Sequence, residues 1–345
     1  MGKPSTTAAF PSGKTPLVVI AADSLIIPFG DLVRAFESKY PGIDVQAEYH
    51  GSIQVIRQVT DLHRSADVIA TADASLVPML MYVAKDPATG RPDATWYIRF
   101  ASNHLALAYR PSSKYAREIN SGNWYGILDR PDVRVGMADP RFDATGYRTL
   151  MALVLAQDYY GKPTIFNDLL GGQFTYPLGV FQEGGLTTVT VPEIVETKAD
   201  SHVVIRGTSL EVMELLEAGD LDYGFDYESV ILQHGLKMVQ LPDAVNLGEA
   251  AYSQTYSTVQ VDLDYQRFAS VNPQFRGERI GYGITIPSTA PHPNQAQLFI
   301  AFLLGPEGRG ILEADHHPIF DPSIGDQYEN IPKALQTLCV PGEAP

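Results

Sequence analysis

The sequence predicts an α/β chain folded as two lobes of mixed sheet flanked by helices, with a ligand cleft between them. Three observations predict it. The first hundred residues alternate apolar strand-like runs with amphipathic helical ones in the order βαβαβ. Two of those strands each run into a helix through a serine, and Ser24 and Ser52 lie 28 residues apart, the length of one βα unit. A strand at Asn103–Tyr109 is expected to carry the chain out of this first lobe, and a segment between about Leu236 and Arg279 to carry it back.

The elements follow in order. Leu17–Ala22 is an apolar strand, and Phe29–Tyr40 is a helix with Leu32, Val33 and Phe36 on one face. Pro41-Gly42 stops that helix. Val45–Tyr49 is a strand, Ile53–Leu62 a helix, Asp67–Thr71 a strand and Ser75–Tyr82 a short helix. Lys85–Thr95 reads as a Pro/Gly/Asp loop. Past Asn103–Tyr109, Val133–Met137 is a strand, residues 141–147 a polar turn, and Arg148–Tyr159 a helix. Ser209–Glu217 is a helix closed by Ala218-Gly219, followed by strands at Leu221–Tyr227 and Leu236–Leu241. After a loopy stretch come a strand at Arg279–Ile286 and a helix at Asn294–Leu304, ended by Gly305-Pro306. The expected division is a flexible tail 1–14, lobe one at 15–106 and 245–345, and lobe two at 107–244.

Composition narrows the function classes. At 345 residues, 45% hydrophobic and 19% charged, the chain is long enough for two globular cores. A net charge of −15 argues against nucleic-acid binding, which needs a basic surface, and against docking on anionic membranes. No apolar run reaches the ~20 residues that span a bilayer. Met1–Lys14 lacks an apolar h-region and reads as a tail rather than a signal peptide. The single cysteine, Cys339, excludes an intrachain disulfide and sits in an expected C-terminal tail.

A strand that feeds a helix leaves unpaired backbone N–H groups at the helix start, and the helix dipole favours negative charge there. Two such ends side by side, each with a serine hydroxyl, would make a pocket for a small anion. Each serine alone reads as an ordinary N-cap. Asp143 is equally a good N-cap, Tyr227 in an apolar strand reads as core, and Arg148 is expected to pair with an acidic neighbour on its own helix. His316-His317 lacks accompanying metal-ligand spacing and reads as a solvated turn. No nucleophile elbow, phosphate loop or dinucleotide fingerprint occurs, so no catalytic constellation or cofactor is expected.

Ser24-Leu25 after a strand, Gly51-Ser52-Ile53-Gln54, Ala66–Ala70, Asp143-Ala144-Thr145-Gly146-Tyr147-Arg148 and Gly281–Pro287 recur in one order. That order, with Asn123-Trp124-Tyr125, Glu217–Tyr223 and Gln233–Lys237, resembles the archaeal-type molybdate/tungstate-binding proteins of ABC transporters over about residues 16–320. The resemblance implies the two-lobed class II periplasmic-binding-protein fold and a non-enzymatic, extracytoplasmic receptor, secreted or tethered. Its partners would be a small oxyanion and a membrane permease, and it would act as a monomer. It implies a tetrahedral molybdate or tungstate held by Ser24, Ser52, Asp143, Ala144, Thr145 and Tyr227, with no metal beyond the oxyanion's own. Two departures stand out. Asp23 replaces the family's glycine before the first serine; it is counted among the oxyanion-binding residues, either turning to solvent and contributing only its backbone or facing the site, where it would repel a dianion or accept a proton from a protonated anion. The family's extra carboxylate, eighteen residues before the tyrosine, falls on Ser209, unless Glu211 takes its place. These departures keep a different anion open (sulfate, phosphate or a small carboxylate), as well as four-coordinate binding; an enzyme on the same fold is the remote rival.

Overall fold

The computed structural model describes residues 13–264 and 273–342; most of the expected tail lies outside the described residues. One lobe is built on a seven-stranded sheet in the order Cys339–Pro341, Ile319–Asp326, Tyr97–Ala101, Tyr282–Thr285, Val68–Thr71, Thr15–Ala22, Ile43–His50. The other holds a five-stranded sheet, Lys237–Gln240, Leu105–Tyr109, Tyr223–Tyr227, Val135–Ala138, Val203–Arg206. A four-stranded sheet packs beside it in the order Gln274–Arg276, Val259–Leu263, Leu186–Val191, Gly179–Glu183.

Thr15–Ala22 is flanked by parallel strands on both sides, which is why it reads as an unbroken apolar run. Its register with Ile43–His50 sets Ala22 opposite His50. The two strands therefore end level, and the chain leaves both at the same sheet edge. From there Ile26–Lys39 buries Phe29, Leu32 and Phe36 against the aromatic cluster of Phe100 and Phe299. The helix Ser52–Thr60 buries Ile53, Val55, Ile56 and Val59.

In the second lobe the central helix is Ala144–Tyr160, whose first thirteen residues are all buried. It packs on the five-stranded sheet and on Val259–Leu263, so it is covered on more than one face. Gly161 at φ 62° ends it, a left-handed conformation that glycine adopts without steric cost.

Several expectations need correction. The expected helix over residues 75–82 is one π-helical turn at Val77–Met81. The stretch read as loopy before Arg279 contains Val259–Leu263 and Gln274–Arg276, which pair with Leu186–Val191 directly or through each other. These strands fall in the range expected for lobe one, yet they hydrogen-bond within the second lobe. We therefore propose that the chain returns to the first lobe near Arg279 rather than at residue 245. Cys339 is not in a loose tail: it begins an edge strand and is buried against Gly325.

Candidate functional site

Level strand ends place Asp23-Ser24 and Gly51-Ser52 together, and all four residues are buried. Neither serine acts as a helix cap. Ser24 lies in a short 3-10 turn before the helix, and its Oγ accepts the Tyr282 hydroxyl at 3.1 Å. Ser52 is the first residue of its helix, and its Oγ accepts the Ala72 amide at 3.0 Å. A backbone amide can only donate, so the Ser52 proton is free for another acceptor.

The second lobe brings Asp143, Ala144 and Thr145 to the same place, at the start of its long buried helix. Asp143 is the N-cap: its Oδ1 accepts both the Thr145 amide at 2.8 Å and the Thr145 hydroxyl at 2.7 Å. Its Oδ2 accepts the Ser209 amide at 3.3 Å. Tyr227 ends the strand Tyr223–Tyr227, paired with Leu105 beside the crossing between lobes. Its hydroxyl is held by Arg148. Ser209 is buried at the start of its helix, whereas Glu211 is exposed and turns back to the Thr208 amide in a capping box. The side chain of Glu211 thus serves its own helix end instead of reaching Asp143 and Tyr227.

The lobes touch at this cluster. The Ile53 amide donates to the Phe142 carbonyl at 3.1 Å, and the Leu210 amide lies 3.4 Å from Asp23 Oδ2. Arg148 Nη1 donates to the Ala72 carbonyl at 2.7 Å, and Tyr147 Oη to Asp73 Oδ2 at 2.5 Å. A cavity of about 110 Å³ opens beside the cluster, walled by Asp23, Ser24, Ser209, Leu210 and Gln233 among others.

Asp23 is buried and faces the other lobe, which removes the solvent-facing alternative. Its carboxyl meets that of Asp143, with Asp226 nearby. Burial, followed by repulsion from Asp143 and Asp226, holds Asp23 well above the usual carboxylate range. Burial likewise raises Asp143, and pushes Asp226 up to about 8. Protonated carboxyls can donate hydrogen bonds to an anion; ionised ones repel it.

Sequence reasoning missed part of this arrangement. Arg148 pairs with Asp73 of the other lobe rather than with an acid on its own helix. Asp226, Tyr147 and Asp73 gave no separate signal, because a lone acid or aromatic beside an apolar run carries none. His317 is not a solvated turn residue. It is buried edge-on to Tyr282, with Nε2 3.4 Å from Ser229 Oγ. Desolvation lowers its imidazole to about 4, so it is neutral. Among the described residues no group of three or more His, Cys, Asp or Glu could hold a metal ion.

Comparison with known proteins adds a family-level finding. A family model described as a bacterial extracellular solute-binding protein matches residues 17–316. The chain is 38% identical over 321 residues to an uncharacterized solute-binding protein of Petrotoga mobilis, covering 93% of this chain and 88% of that one. It is 35% identical over 333 residues to the molybdate/tungstate-binding protein WtpA of Thermococcus kodakarensis, covering 94% and 87%. Among solved structures, the sulfate-binding protein SubI of Mycobacterium tuberculosis superposes with a TM-score of 0.59 at 16% identity, covering 89% of this chain and 88% of that one. That likeness bears on the fold alone.

Proposed function

This chain belongs to the bacterial extracellular solute-binding protein family, and from that premise we propose that it captures molybdate or tungstate between its lobes and delivers the anion to an ABC permease. The observation that carries this reading is the meeting of Ser24 and Ser52 from one lobe with Asp143, Ala144, Thr145, Ser209 and Tyr227 from the other, all buried at a single interface. A fully ionised oxyanion offers only acceptors, and the Ser52 hydroxyl, whose oxygen already accepts the Ala72 amide, has its proton to give. The likeness to WtpA supports the choice of anion.

In this mechanism the anion lands on Ser24 and Ser52. The second lobe then closes, bringing the start of Ala144–Tyr160 and Tyr227 onto it. The ligand favours the closed state by the contacts it makes only there. No step forms or breaks a covalent bond. Among the described residues no helix is long and apolar enough to cross a membrane; the protein would act outside the cytoplasm, secreted or tethered. With serine at 209 and Glu211 turned away, the metal would stay four-coordinate.

One observation favours a second reading. Burial keeps the Asp23 carboxyl beside Asp143 well above the usual carboxylate range, and a protonated carboxyl offers an accepting oxygen as well as a donor, which suits an anion that carries a proton, such as hydrogen phosphate.

Calorimetric titration of the ligand-stripped protein decides between them, using molybdate and tungstate with sulfate and phosphate as competitors. One-site binding that resists a large excess of sulfate and phosphate is expected. No heat and no thermal shift with either metal oxyanion would sink the molybdate reading and turn attention to protonated or organic anions.

A further inference from the structure

A buried chain of hydrogen bonds joins Ser24 to the crossing between the lobes, and its direction is fixed by chemistry. Asn103 lies in that crossing, fully buried, between Tyr97–Ala101 and Leu105–Tyr109. Its Oδ1 accepts the backbone amides of His104 at 3.0 Å and Ser229 at 3.3 Å. Backbone amides only donate, so this atom must be the oxygen and the other must be the NH2 group. Nδ2 then has two protons to give. One goes to Ser229 Oγ at 2.7 Å and the other to Tyr282 Oη at 3.2 Å.

The consequence runs down the chain. Tyr282 Oη accepts from Asn103, so its own proton goes to Ser24 Oγ at 3.1 Å. Ser24 Oγ accepts from Tyr282, so the Ser24 proton must point elsewhere. Ser24 walls the cavity at the lobe interface. Ser52 is set the same way by a different donor, the Ala72 amide. At the far end, Ser229 Oγ accepts from Asn103 and faces His317 Nε2 at 3.4 Å, while His317 Nδ1 lies 3.3 Å from the Asp315 carbonyl. Gln233 Nε2, which donates to the same Asp315 carbonyl at 2.6 Å, also stands 3.4 Å from His317 Nδ1. Asn103, Tyr282, Ser229 and His317 are buried, so an inverted link among them would leave a polar group unsatisfied.

We propose that Asn103 and Tyr282 are positioning residues that lock Ser24 as a hydrogen-bond donor toward the bound anion, and so select an oxyanion bearing only acceptors over one that carries a proton. The inference rests on the anion-receptor reading above. The chain also spans the lobes. Ser229 begins near the end of the strand Tyr223–Tyr227, whereas Tyr282 and Ser24 belong to the seven-stranded lobe. Closure that seats Ser229 on Asn103 therefore fixes the amide that orients Tyr282, and donor polarity at Ser24 is set in the closed state.

The test compares the wild type with Tyr282→Phe and Asn103→Asp. Each stripped protein is titrated with molybdate at pH 8, alone and against millimolar phosphate, and melted without ligand to check folding. Tyr282→Phe frees Ser24 to rotate; molybdate affinity should fall about tenfold, the worth of one hydrogen bond. Phosphate should then compete more effectively than it does in the wild type. Asn103→Asp should lose more. A carboxylate has no proton to give, so Tyr282 would turn its proton toward position 103 and draw the Ser24 proton away from the anion. Should Asn103→Asp fail to fold, Tyr282→Phe decides alone. Unchanged molybdate affinity in Tyr282→Phe overturns the proposal, as does an equal loss for molybdate and phosphate that merely tracks a lower melting temperature. A wild type that binds neither anion overturns the receptor reading itself, and this inference with it.

Discussion

Arg148 Nη2 stands 3.3 Å from Asp73 Oδ2, an ion pair between the two lobes with side chains only 3% and 5% exposed. The same guanidinium holds the Ala72 carbonyl and the Tyr227 hydroxyl. One cation thus ties Asp73 and Ala72 of one lobe to Tyr227 of its own, next to a cluster of buried acids. Burying charge costs free energy, and breaking such a pair leaves the surviving charge uncompensated.

Replacing Arg148 with Met should therefore destabilise the closed form by about 3–5 kcal/mol. Small-angle scattering of the ligand-free variant should give a larger radius of gyration than the wild type. An unchanged radius together with an unchanged melting temperature would show that the pair does not hold the lobes together.

A Cβ at Gly51 would lie 2.5 Å from the Phe142 carbonyl oxygen, backbone on the opposite lobe. Gly51 has φ −56°, so alanine fits its own backbone and only the approach of the lobes suffers. The clash acts without ligand as well, so Gly51→Ala should cost about 1–3 kcal/mol of ligand-free stability, the usual cost of overpacking. Molybdate affinity should drop tenfold or more. Calorimetry beside thermal melts separates the two effects.

Asp226 is pushed up to about 8 by burial, so the folded state keeps its proton where the unfolded chain has lost it. The sign follows from linkage: the folded state binds more protons, so stability declines as pH rises from about 4 to about 8. Asp226→Asn removes the Asp226 share of that decline, while Asp23 and Asp143, raised in the same direction, keep theirs. At pH 8 the variant should melt roughly 2–4 °C higher per kcal/mol regained, and at pH 4 the two proteins should agree. A constant offset at both pH values would contradict the assignment.

Glu211 caps its own helix through Thr208 rather than reaching the interface. Glu211→Ala should cost about 0.5–1 kcal/mol of stability, the worth of half a capping box. The stoichiometry and affinity of molybdate binding should not change. A large loss of affinity would return Glu211 to the list of anion ligands.

Much of the candidate site could be read in the chain because its pieces are local. Ser24 and Ser52 each follow a strand, and Asp143-Ala144-Thr145 opens a helix; short-range patterns reveal all three. Elements that escaped the reading are those fixed by distant partners. Val259–Leu263 and Gln274–Arg276 are strands because Leu186–Val191 offers them an edge. Tyr97–Ala101 is short and follows a Pro/Gly loop, and it owes its place to Tyr282–Thr285 and Ile319–Asp326 on its two sides. His317 was misread because two adjacent histidines before a proline look exposed, while burial under Tyr282 depends on a contact no local pattern records.

By itself the sequence determined the α/β class, the two βα units that set two serines level, and the family. Those follow from periodicity, turn chemistry and ordered motifs, all of which act within a few tens of residues. Only the tertiary structure decided what faces what. It turned Asp23 toward Asp143, paired Arg148 with Asp73, and ran Asn103 through Tyr282 to Ser24. The physical reason is that charge state and hydrogen-bond direction depend on burial and on partners far away in the chain. Those partners meet only when the two lobes come together.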